Sequence, residues 1–284
     1  MQTLTAEHVF NINKLEYPKD SYGIFTDYNS NLIMLTATKR SEKYDYVIYH
    51  ITKEGVKTIA LPSVKESFHN AQLLGENWLL VNARVSNNTD HNAFIYKEDG
   101  SIITSFHIGD GIEHVQVTEN GDIWVGYFDE GIYGHTELAQ SGLNCFNQKG
   151  ELTFEFFLSD DVPIIDACYA LNAATNEEVY TYYYTDFPLV QIKNKREYKV
   201  FQNFSIEGCR AFAVWKEHVL FGHGYKDKGL IHLYSTKNKS TVTYTPVNKQ
   251  GDVLTYDFAI GRKHNLFLIS NQDIYCINMM SENF

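Results

Sequence analysis

A short turn ending in glycine recurs three times along this chain, each time between two runs rich in apolar and aromatic residues. The turns are Lys53-Glu54-Gly55, Glu98-Asp99-Gly100 and Gln148-Lys149-Gly150. Glycine readily takes the positive φ that tight hairpin turns need, so each turn predicts a β-hairpin. The second glycine follows the first by 45 residues and the third follows the second by 50, which is the length of a four-stranded propeller blade.

Six strand-like cores repeat at a similar spacing. They read NLIML, NWLLV, DIWVG, EVYTY, HVLFG and NLFLI, around Leu32, Trp78, Ile123, Val179, Val219 and Leu266. The 20 Tyr and 18 Phe also favour strands. We therefore predict an all-β, six-bladed β-propeller of four-stranded antiparallel blades, forming one domain over residues 1–284. The expected blades span about residues 17–62, 66–107, 112–157, 164–203, 208–246 and 253–284.

The sixth blade is short of one strand, because no strand-like run follows Ile274 to Ile277. An incomplete blade leaves an unpaired strand edge. At the other end of the chain, His8 to Ile12 is apolar at alternate positions and precedes blade one. We therefore assign residues 4–12 to blade six and expect His8 to Ile12 to pair beside Ile274 to Ile277 and to close the ring, as propellers commonly do.

The formal charge of −11 restricts the partners that the chain can bind. Binding to nucleic-acid phosphates depends on clustered Lys and Arg, so we expect no nucleic-acid partner, whereas a basic protein suits this charge. Simple solubility is the alternative explanation of the charge. No run approaches the roughly 18 apolar residues of a membrane span, and no export signal opens the chain. We expect a cytoplasmic protein that binds no membrane and is monomeric in isolation.

Sequence motifs for catalysis and cofactor binding are absent. The chain has no G-x-S-x-G elbow and no glycine pattern of a phosphate or dinucleotide loop. Its four cysteines lack the CxxC spacing of metal sites, and we expect them to be buried free thiols. They are Cys145, Cys168, Cys209 and Cys276. The expectation is a chain without catalytic residues, metal or cofactor.

One blade carries a family resemblance. His114 to Glu151 begins HVQVTENGDIWVGYFDEGIYG and ends GLNCFNQKGE, so that Asn120 to Gly126 forms a turn and second strand and Gly142-Leu143 begins a third strand. This segment resembles the repeat of bacterial regulatory and sensor propellers, whose blades carry D-x-x-G-x-I-W-x-G-T and then G-L. Tyr127 stands where that pattern has Thr, and a long insertion follows. The resemblance implies the fold and no particular activity, since propellers host enzymes, sensors and binding scaffolds alike.

The loop from Tyr127 to Gly142 is about twice as long as most loops between second and third strands. Its mixture of rings and carboxylates suits recognition of another molecule, and Asp110, Glu113 and Asp166 extend the acidic sector around it. The alternative is a loop that only folds over its own blade. The predicted partner-binding residues are Tyr127, Phe128, Asp129, Glu130, Tyr133, His135, Glu137, Asp160 and Asp161.

A second group of candidates lies where the innermost strands are expected to begin, at the channel mouth. Three carboxylates there would suit a hard cation, but Arg210 lies in the same tier and more simply balances Asp166 or Glu113. His69 and His114 hold corresponding places in successive blades, and two imidazoles alone do not complete a metal site. The candidate residues are His69, Glu113, His114, Asp166, Arg210, Tyr256 and Asp257.

Two functions remain open from the sequence. The first is a non-catalytic protein-binding propeller that presents an acidic, aromatic face to a basic partner; a bacterial immunity protein that neutralises a toxin is one concrete form. The second is a metal-dependent, lactonase-like hydrolase with its site at the channel mouth.

Overall fold

The computed structural model describes residues 2–17, 21–156, 162–202 and 205–282. The chain is all-β, with six four-stranded antiparallel blades in a β-propeller, as predicted. It packs as two compact units. The blade 1–3 unit is Tyr17–Cys168, and the blade 4–6 unit is Met1–Glu16 with Tyr169–Phe284. No helix within the described ranges is long and apolar enough to cross a membrane.

The strands follow the chain blade by blade, apart from the first two. In chain order they are β1 (Gln2–Thr5) and β2 (Glu7–Asn11); blade one, β3 (Tyr22–Thr26), β4 (Leu32–Arg40), β5 (Lys43–Thr52) and β6 (Gly55–Ala60); blade two, β7 (Asn70–Leu74), β8 (Asn77–Val81), β9 (Ala93–Tyr96) and β10 (Ile102–Phe106); blade three, β11 (Ile112–Val117), β12 (Ile123–Tyr127), β13 (Leu143–Phe146) and β14 (Leu152–Glu155); blade four, β15 (Ala167–Ala173), β16 (Glu178–Tyr184), β17 (Leu189–Lys193) and β18 (Glu197–Phe201); blade five, β19 (Phe212–Trp215), β20 (His218–Phe221), β21 (Ile231–Ser235) and β22 (Ser240–Val247); and blade six, β23 (Phe258–Arg262), β24 (Asn265–Ser270) and β25 (Asp273–Asn278).

Within the described residues, short helices occur in two places. A 3-10 turn, Ile12–Lys14, follows β2. The loop between β12 and β13 contains the one-turn helix α1 (Asp129–Ile132) and a second 3-10 turn, Glu137–Ala139. The long blade-three loop of the sequence analysis is therefore folded locally.

The N-terminal segment completes the last blade. β2 pairs antiparallel with β25, so that Glu7 faces Cys276 and Asn11 faces Asp273. The Asn11 amide donates to Asp273 Oδ1 over 2.7 Å, and His8 Nε2 lies 2.7 Å from the same oxygen. The predicted closing strand is confirmed.

The residues before β2 belong to a different blade, although the predicted blade six included residues from position 4 onward. β1 lies in blade five, where it runs parallel to β22 as a fifth strand. Between the two strands, Ala6 is fully buried and its N–H donates to the Val247 carbonyl over 2.8 Å. The small side chain of Ala6 lets the chain pass between the two blades, and Leu4 is buried on blade five.

The recurrent glycine turns lie between the third and fourth strands of blades one to three. Gly55, Gly100 and Gly150 all have positive φ, at 141°, 80° and 79°. At Gly150 a Cβ would stand 2.4 Å from the Phe106 ring, so any side chain there would also collide with the neighbouring blade. The hairpin prediction is confirmed at all three places.

Buried side chains fill the space between adjacent blades of each unit. In the blade 1–3 unit, Ile33, Ile48 and Leu80 pack around Trp78, which is almost fully buried. In the blade 4–6 unit, one cluster includes Phe212 and Phe221, and a second includes Leu4 and Leu268. Each such side chain contributes about 1.5–3 kcal/mol when fully buried.

Candidate functional site

The blade-three insertion, residues 128–142, is anchored at its base by two glycines. A Cβ on Gly111 would lie 2.4 Å from Gly131 Cα, so the two backbones are in contact. The Phe128 N–H donates to the Gly111 carbonyl over 2.9 Å, and Thr136 Oγ1 accepts from the Asp110 N–H over 3.2 Å. The insertion therefore packs on its own blade, and its outer side chains remain exposed.

Some of the predicted binding residues are buried and others are exposed. Tyr127 is fully buried, and its hydroxyl donates to the Ile108 carbonyl over 2.6 Å; it supports the insertion from below. Phe128 is half-buried. Asp129, Glu130, Tyr133, His135 and Glu137 are exposed, and Asp160 and Asp161 lie outside the described residues.

An arginine outside the predicted site residues crosses this acidic sector. Arg84, from the blade-two loop, has its Nε 3.1 Å from Asp110 Oδ1 and is paired through Nη1 with Glu130. Its guanidinium carbon is 5.7 Å from the Phe128 ring centroid. The hydrogen bond to the buried Asp110 raises the pKa of Arg84. Arg84 thus neutralises Asp110 and Glu130 and fastens the insertion to blade two.

Tyr133 is an exposed ring of the insertion, with 69% of its surface accessible. Its hydroxyl donates to Asp166 Oδ1. That hydrogen bond, with burial and the negative charge of Asp166, raises the pKa of Tyr133. The pair brings together one residue predicted for partner binding and one predicted for the channel mouth.

A cavity of about 640 Å³ opens beside this pair. One side is formed by the insertion and the other by the segment that leads into blade four. Its walls are Ile132, Tyr133, Gln140, Ser141, Glu155, Phe156, Ile164, Ile165 and Asp166. Ile164 is 53% exposed, whereas Ile165 is buried. The cavity joins apolar walls to two carboxyl groups, the composition typical of a site that binds another molecule.

The other channel-mouth candidates of the blade 1–3 unit occupy the start of the inner strands. His69 is exposed, and its Nδ1 is 3.5 Å from the Ala83 nitrogen. Glu113 is exposed and His114 half-buried on β11. Among the residues that the structure describes, no three His, Cys, Asp or Glu side chains are grouped so as to hold a metal ion.

In the blade 4–6 unit, Tyr256 has a supporting role. Its hydroxyl donates to the Leu230 carbonyl over 2.7 Å and accepts from the His223 N–H over 2.8 Å, and its ring stacks on His223. Burial raises the pKa of Tyr256 well above its ordinary value. Asp257 is exposed and accepts from the Asn271 N–H over 3.3 Å.

Arg210 lies beside an aromatic cluster. Its guanidinium carbon is 4.3 Å from the centroid of the Tyr169 ring. An ion pair of Arg210 with Asp166 or Glu113 stays a prediction. The rings around Tyr169 come from Tyr184, Phe187 and Tyr225. Arg210 and these four aromatic residues are called the Tyr169 cluster below.

The aromatic members of this cluster were not predicted from the sequence, although one signal for them exists. In the run EVYTYYYTDFP, Tyr182 and Tyr184 alternate along β16 and point to the same face of the sheet. Tyr182 is fully buried and Tyr184, at the end of the strand, is 44% exposed. Alternating aromatic residues that run to the end of a strand therefore indicate that the last ring of the buried face is exposed.

Comparisons with known proteins agree with the fold. A family model described as the YxzG family matches residues 143–277, just under half of the chain. No curated protein matches the sequence significantly. Among solved structures, a catalytically inactive virginiamycin B lyase from Staphylococcus aureus with quinupristin has a TM-score of 0.53 at 12% identity, covering 90% of this chain and 93% of the lyase.

A streptogramin B lyase structure gives nearly the same result. Its TM-score is 0.52 at 10% identity, covering 96% of this chain and 91% of the other. At this level of identity the likeness shows the propeller fold, which can host unrelated functions.

Proposed function

We propose that this chain is a non-catalytic protein-binding propeller and that it binds a basic protein partner through blade three. The observation that carries the proposal is the 640 Å³ cavity beside the exposed Tyr133. We call the binding region the blade-three surface and define it as Asp129, Glu130, Tyr133, His135 and Glu137 with the walls of that cavity.

The cavity favours an anchoring side chain that is apolar along its length and cationic at its end. Ile132, Phe156 and Ile164 offer apolar contact, while Glu155 and Asp166 offer carboxylates. A Lys or Arg side chain has this combination, since its aliphatic stem packs against apolar walls while its head reaches polar groups. Burial of such an anchor at the centre of an interface typically supplies most of the binding energy.

The exposed carboxylates outside the cavity act mainly on the rate of association. Asp129 and Glu137 lie at the surface of the insertion, where charges steer the encounter more than they strengthen the complex. Glu130 contributes less to this field, because Arg84 is paired with it. The anchored base of the insertion lowers the ordering cost of binding.

The net charge of −11 supports a basic partner, and a toxin that attacks nucleic acid is one protein of that kind. In this form of the proposal the chain is an immunity protein whose acidic surface captures the toxin and covers its cleft. A hydrolase with a cation at the channel mouth is the competing function; a stoichiometric hard metal in the purified protein would favour it.

The proposal is tested by capturing the partner from the cells that make the protein and measuring binding kinetics with the purified pair. Tyr133→Ala and Ile164→Asp should each accelerate dissociation about tenfold or more. Asp129→Asn combined with Glu137→Gln should slow association and flatten its salt dependence. Ile102→Asp is the matched control, since Ile102 on β10 is 54% exposed and Ile164 53%.

Two results would contradict the proposal. One is a partner whose dissociation rate is the same for the parent, Tyr133→Ala and Ile164→Asp. The other is a folded protein that captures no partner at all.

A further inference from the structure

A small polar pocket lies between blades four and five, inside the blade 4–6 unit, and we call it the blade 4–5 pocket. Its volume is about 190 Å³, below the roughly 300–1,000 Å³ of pockets that take drug-sized ligands. It therefore has room for a small ion or for one group of a larger molecule. Its polar walls are Tyr180, Gln191 and Lys199 from blade four and Lys216, Glu217 and His218 from blade five.

The wall from blade four is a single row across three strands. Tyr180 on β16 is paired with Gln191 on β17, which is paired with Lys199 on β18, so the three side chains lie side by side on one face of the sheet. The next row on that face is buried in the core cluster shared with blade five, and it consists of Tyr182, Leu189 and Phe201. The apolar core between the two blades thus ends at the polar row, where the pocket begins.

Tyr180 brings a buried hydrogen-bond donor to the pocket. The residue is 7% exposed, and its hydroxyl accepts from the Gln191 amide over 2.8 Å. Among the residues that the structure describes, no group accepts the hydroxyl proton in turn. Burial, with the negative charge of Glu178, raises the pKa of Tyr180, so the hydroxyl keeps its proton at neutral pH. A buried donor without an acceptor costs free energy, and an anion in the pocket would remove that cost.

Two lysines at the pocket have aromatic neighbours and no counter-ion. Lys199 Nζ is 5.0 Å from the centroid of the Phe201 ring, and Lys216 Nζ is 5.5 Å from that of Trp215. Within the described ranges neither lysine forms an ion pair. The two ammonium groups come from different blades, so they approach the pocket from two sides.

The carboxylates near the pocket have other cations beside them. Glu217 Oε2 is 3.6 Å from Lys237 Nζ. In the outermost row of blade four, Lys193 lies opposite both Glu178 and Glu197, with its Nζ 3.7 Å from Glu178 Oε1. Lys199 and Lys216 therefore leave positive charge at this pocket, although the net charge of the chain is −11.

We propose that the blade 4–5 pocket binds a phosphate group, either as inorganic phosphate or as a small phosphomonoester. Lys199 and Lys216 provide the charge, and Tyr180 donates its hydroxyl proton. A tetrahedral oxyanion accepts hydrogen bonds from several directions, which suits donors carried by separate blades. A planar carboxylate pairs best with the fork of an arginine, whereas lysine binds phosphate as a point charge.

The first experiment measures binding of inorganic phosphate to the full-length protein. Phosphate and acetate are titrated separately at constant ionic strength, and binding is followed by calorimetry or by NMR shifts. Phosphate should bind about tenfold or more tightly than acetate, because it makes additional hydrogen bonds to charged groups. The melting temperature should also rise with phosphate concentration, since the anion binds only the folded protein.

Variants then assign the binding to the pocket. Lys199→Met and Lys216→Met should each weaken phosphate about tenfold or more, and Tyr180→Phe about three- to tenfold. Lys239→Met is the matched control, because Lys216 and Lys239 both have a φ of 53° in hairpin turns of blade five, and Lys239 is not part of the pocket wall. Unchanged melting temperatures without phosphate establish that each variant is folded.

A third probe separates the two sources of phosphate. N-acetyl-phosphoserine amide should bind at least as tightly as inorganic phosphate if the natural ligand is a phosphomonoester, and more weakly if it is the free ion. The proposal is overturned if neither phosphate compound binds more tightly than acetate, or if Lys216→Met binds phosphate as tightly as Lys239→Met does. None of these results bears on the blade-three surface, whose residues belong to the other unit.

Discussion

The blade-three surface and the Tyr169 cluster reach solvent by different routes. The first is an insertion of fifteen residues, 128–142, with a helical turn and a cavity at its side. The second has no insertion, and its five residues are gathered from positions 169 to 225 by loops of ordinary length. The first region depends on the insertion, whereas the side chains of the second are brought together by the strands and loops of the propeller itself.

The two regions also differ in charge. Carboxylates dominate the blade-three surface, and the neighbouring Arg84 is paired with Asp110 and Glu130. The Tyr169 cluster places Arg210 on an aromatic ring instead. The two regions therefore differ in the charge of the side chains that they place at the surface.

The largest expected effect is a loss of stability that begins in the blade 4–6 unit. Deleting residues 1–13 removes β1 and β2 from blades five and six, and with them the buried Leu4 and Ala6. We expect a loss of several kcal/mol, out of a typical total of roughly 5–15 kcal/mol. The blade 4–6 unit contains these strands, so limited proteolysis should cut first between residues 169 and 282. A shortened protein with the parent's melting temperature and cleavage pattern would show that the N-terminal strands do not hold this unit.

A glycine substitution should damage only the blade-three surface. In Gly111→Ala the new methyl would collide with the backbone of Gly131, at a φ of 68°. The expected cost is about 1–2 kcal/mol of strain plus about 1–3 kcal/mol of overpacking, with loss of partner binding. Gly75→Ala is the matched control: its φ is 62° and no atom lies near the new methyl, so chemical denaturation should reveal the strain alone. Equal losses in the two variants would contradict the close approach.

A smaller effect concerns acid. Asp27 is fully buried, and burial by itself raises its pKa, but hydrogen bonds from His50 and Asn31 outweigh burial and leave the pKa below its ordinary value. A carboxylate whose folded pKa is lowered stabilises the protein above its unfolded pKa of about 3.9 and loses that contribution as pH falls through the folded pKa. Asp27→Asn should therefore cost about 1–3 kcal/mol at pH 7 and progressively less below about pH 4.

Asp273 provides the comparison in the blade 4–6 unit. Its pKa is also lowered: burial raises it, but hydrogen bonds from Asn11 and His8 outweigh burial. The side chain is 37% exposed, so solvent screening keeps the expected cost of Asp273→Asn below about 1 kcal/mol. Urea unfolding at pH 7 and pH 3 checks both variants, and an equal cost at the two pH values would contradict the assignment for Asp27.

The sequence was sufficient for those parts of the fold that local chemistry determines. The turns at Gly55, Gly100 and Gly150 need positive φ, and the glycines in the sequence therefore predict them. The incomplete sixth blade required a strand from elsewhere, and the alternation of His8 to Ile12 identified it. β1 could not be found in this way, because QTLT is short and mostly exposed, and it pairs in parallel with a strand about 240 residues away.

The sites were less predictable, because side chains from distant positions meet there. The length of the blade-three loop pointed to the insertion, but the burial of Tyr127 depends on the carbonyl of Ile108. The role of Arg84 depends on a contact between blades two and three. Loop length gave no indication of the Tyr169 cluster. Arg210 was predicted to form an ion pair, and its contact with the Tyr169 ring could not be predicted, because the sequence does not show which residues lie beside a guanidinium.

Site-specific photo-crosslinking of the blade-three surface tests the central claim most directly. A photoreactive phenylalanine analogue is placed at Tyr133 or, as the control, at Ile102, and the protein is irradiated in the cells that make it. We predict one covalent adduct with a basic protein from position 133 and none from position 102, with the adduct lost when Ile164→Asp is added. An adduct with that protein from position 102 and none from position 133 would contradict the claim that blade three carries the binding surface.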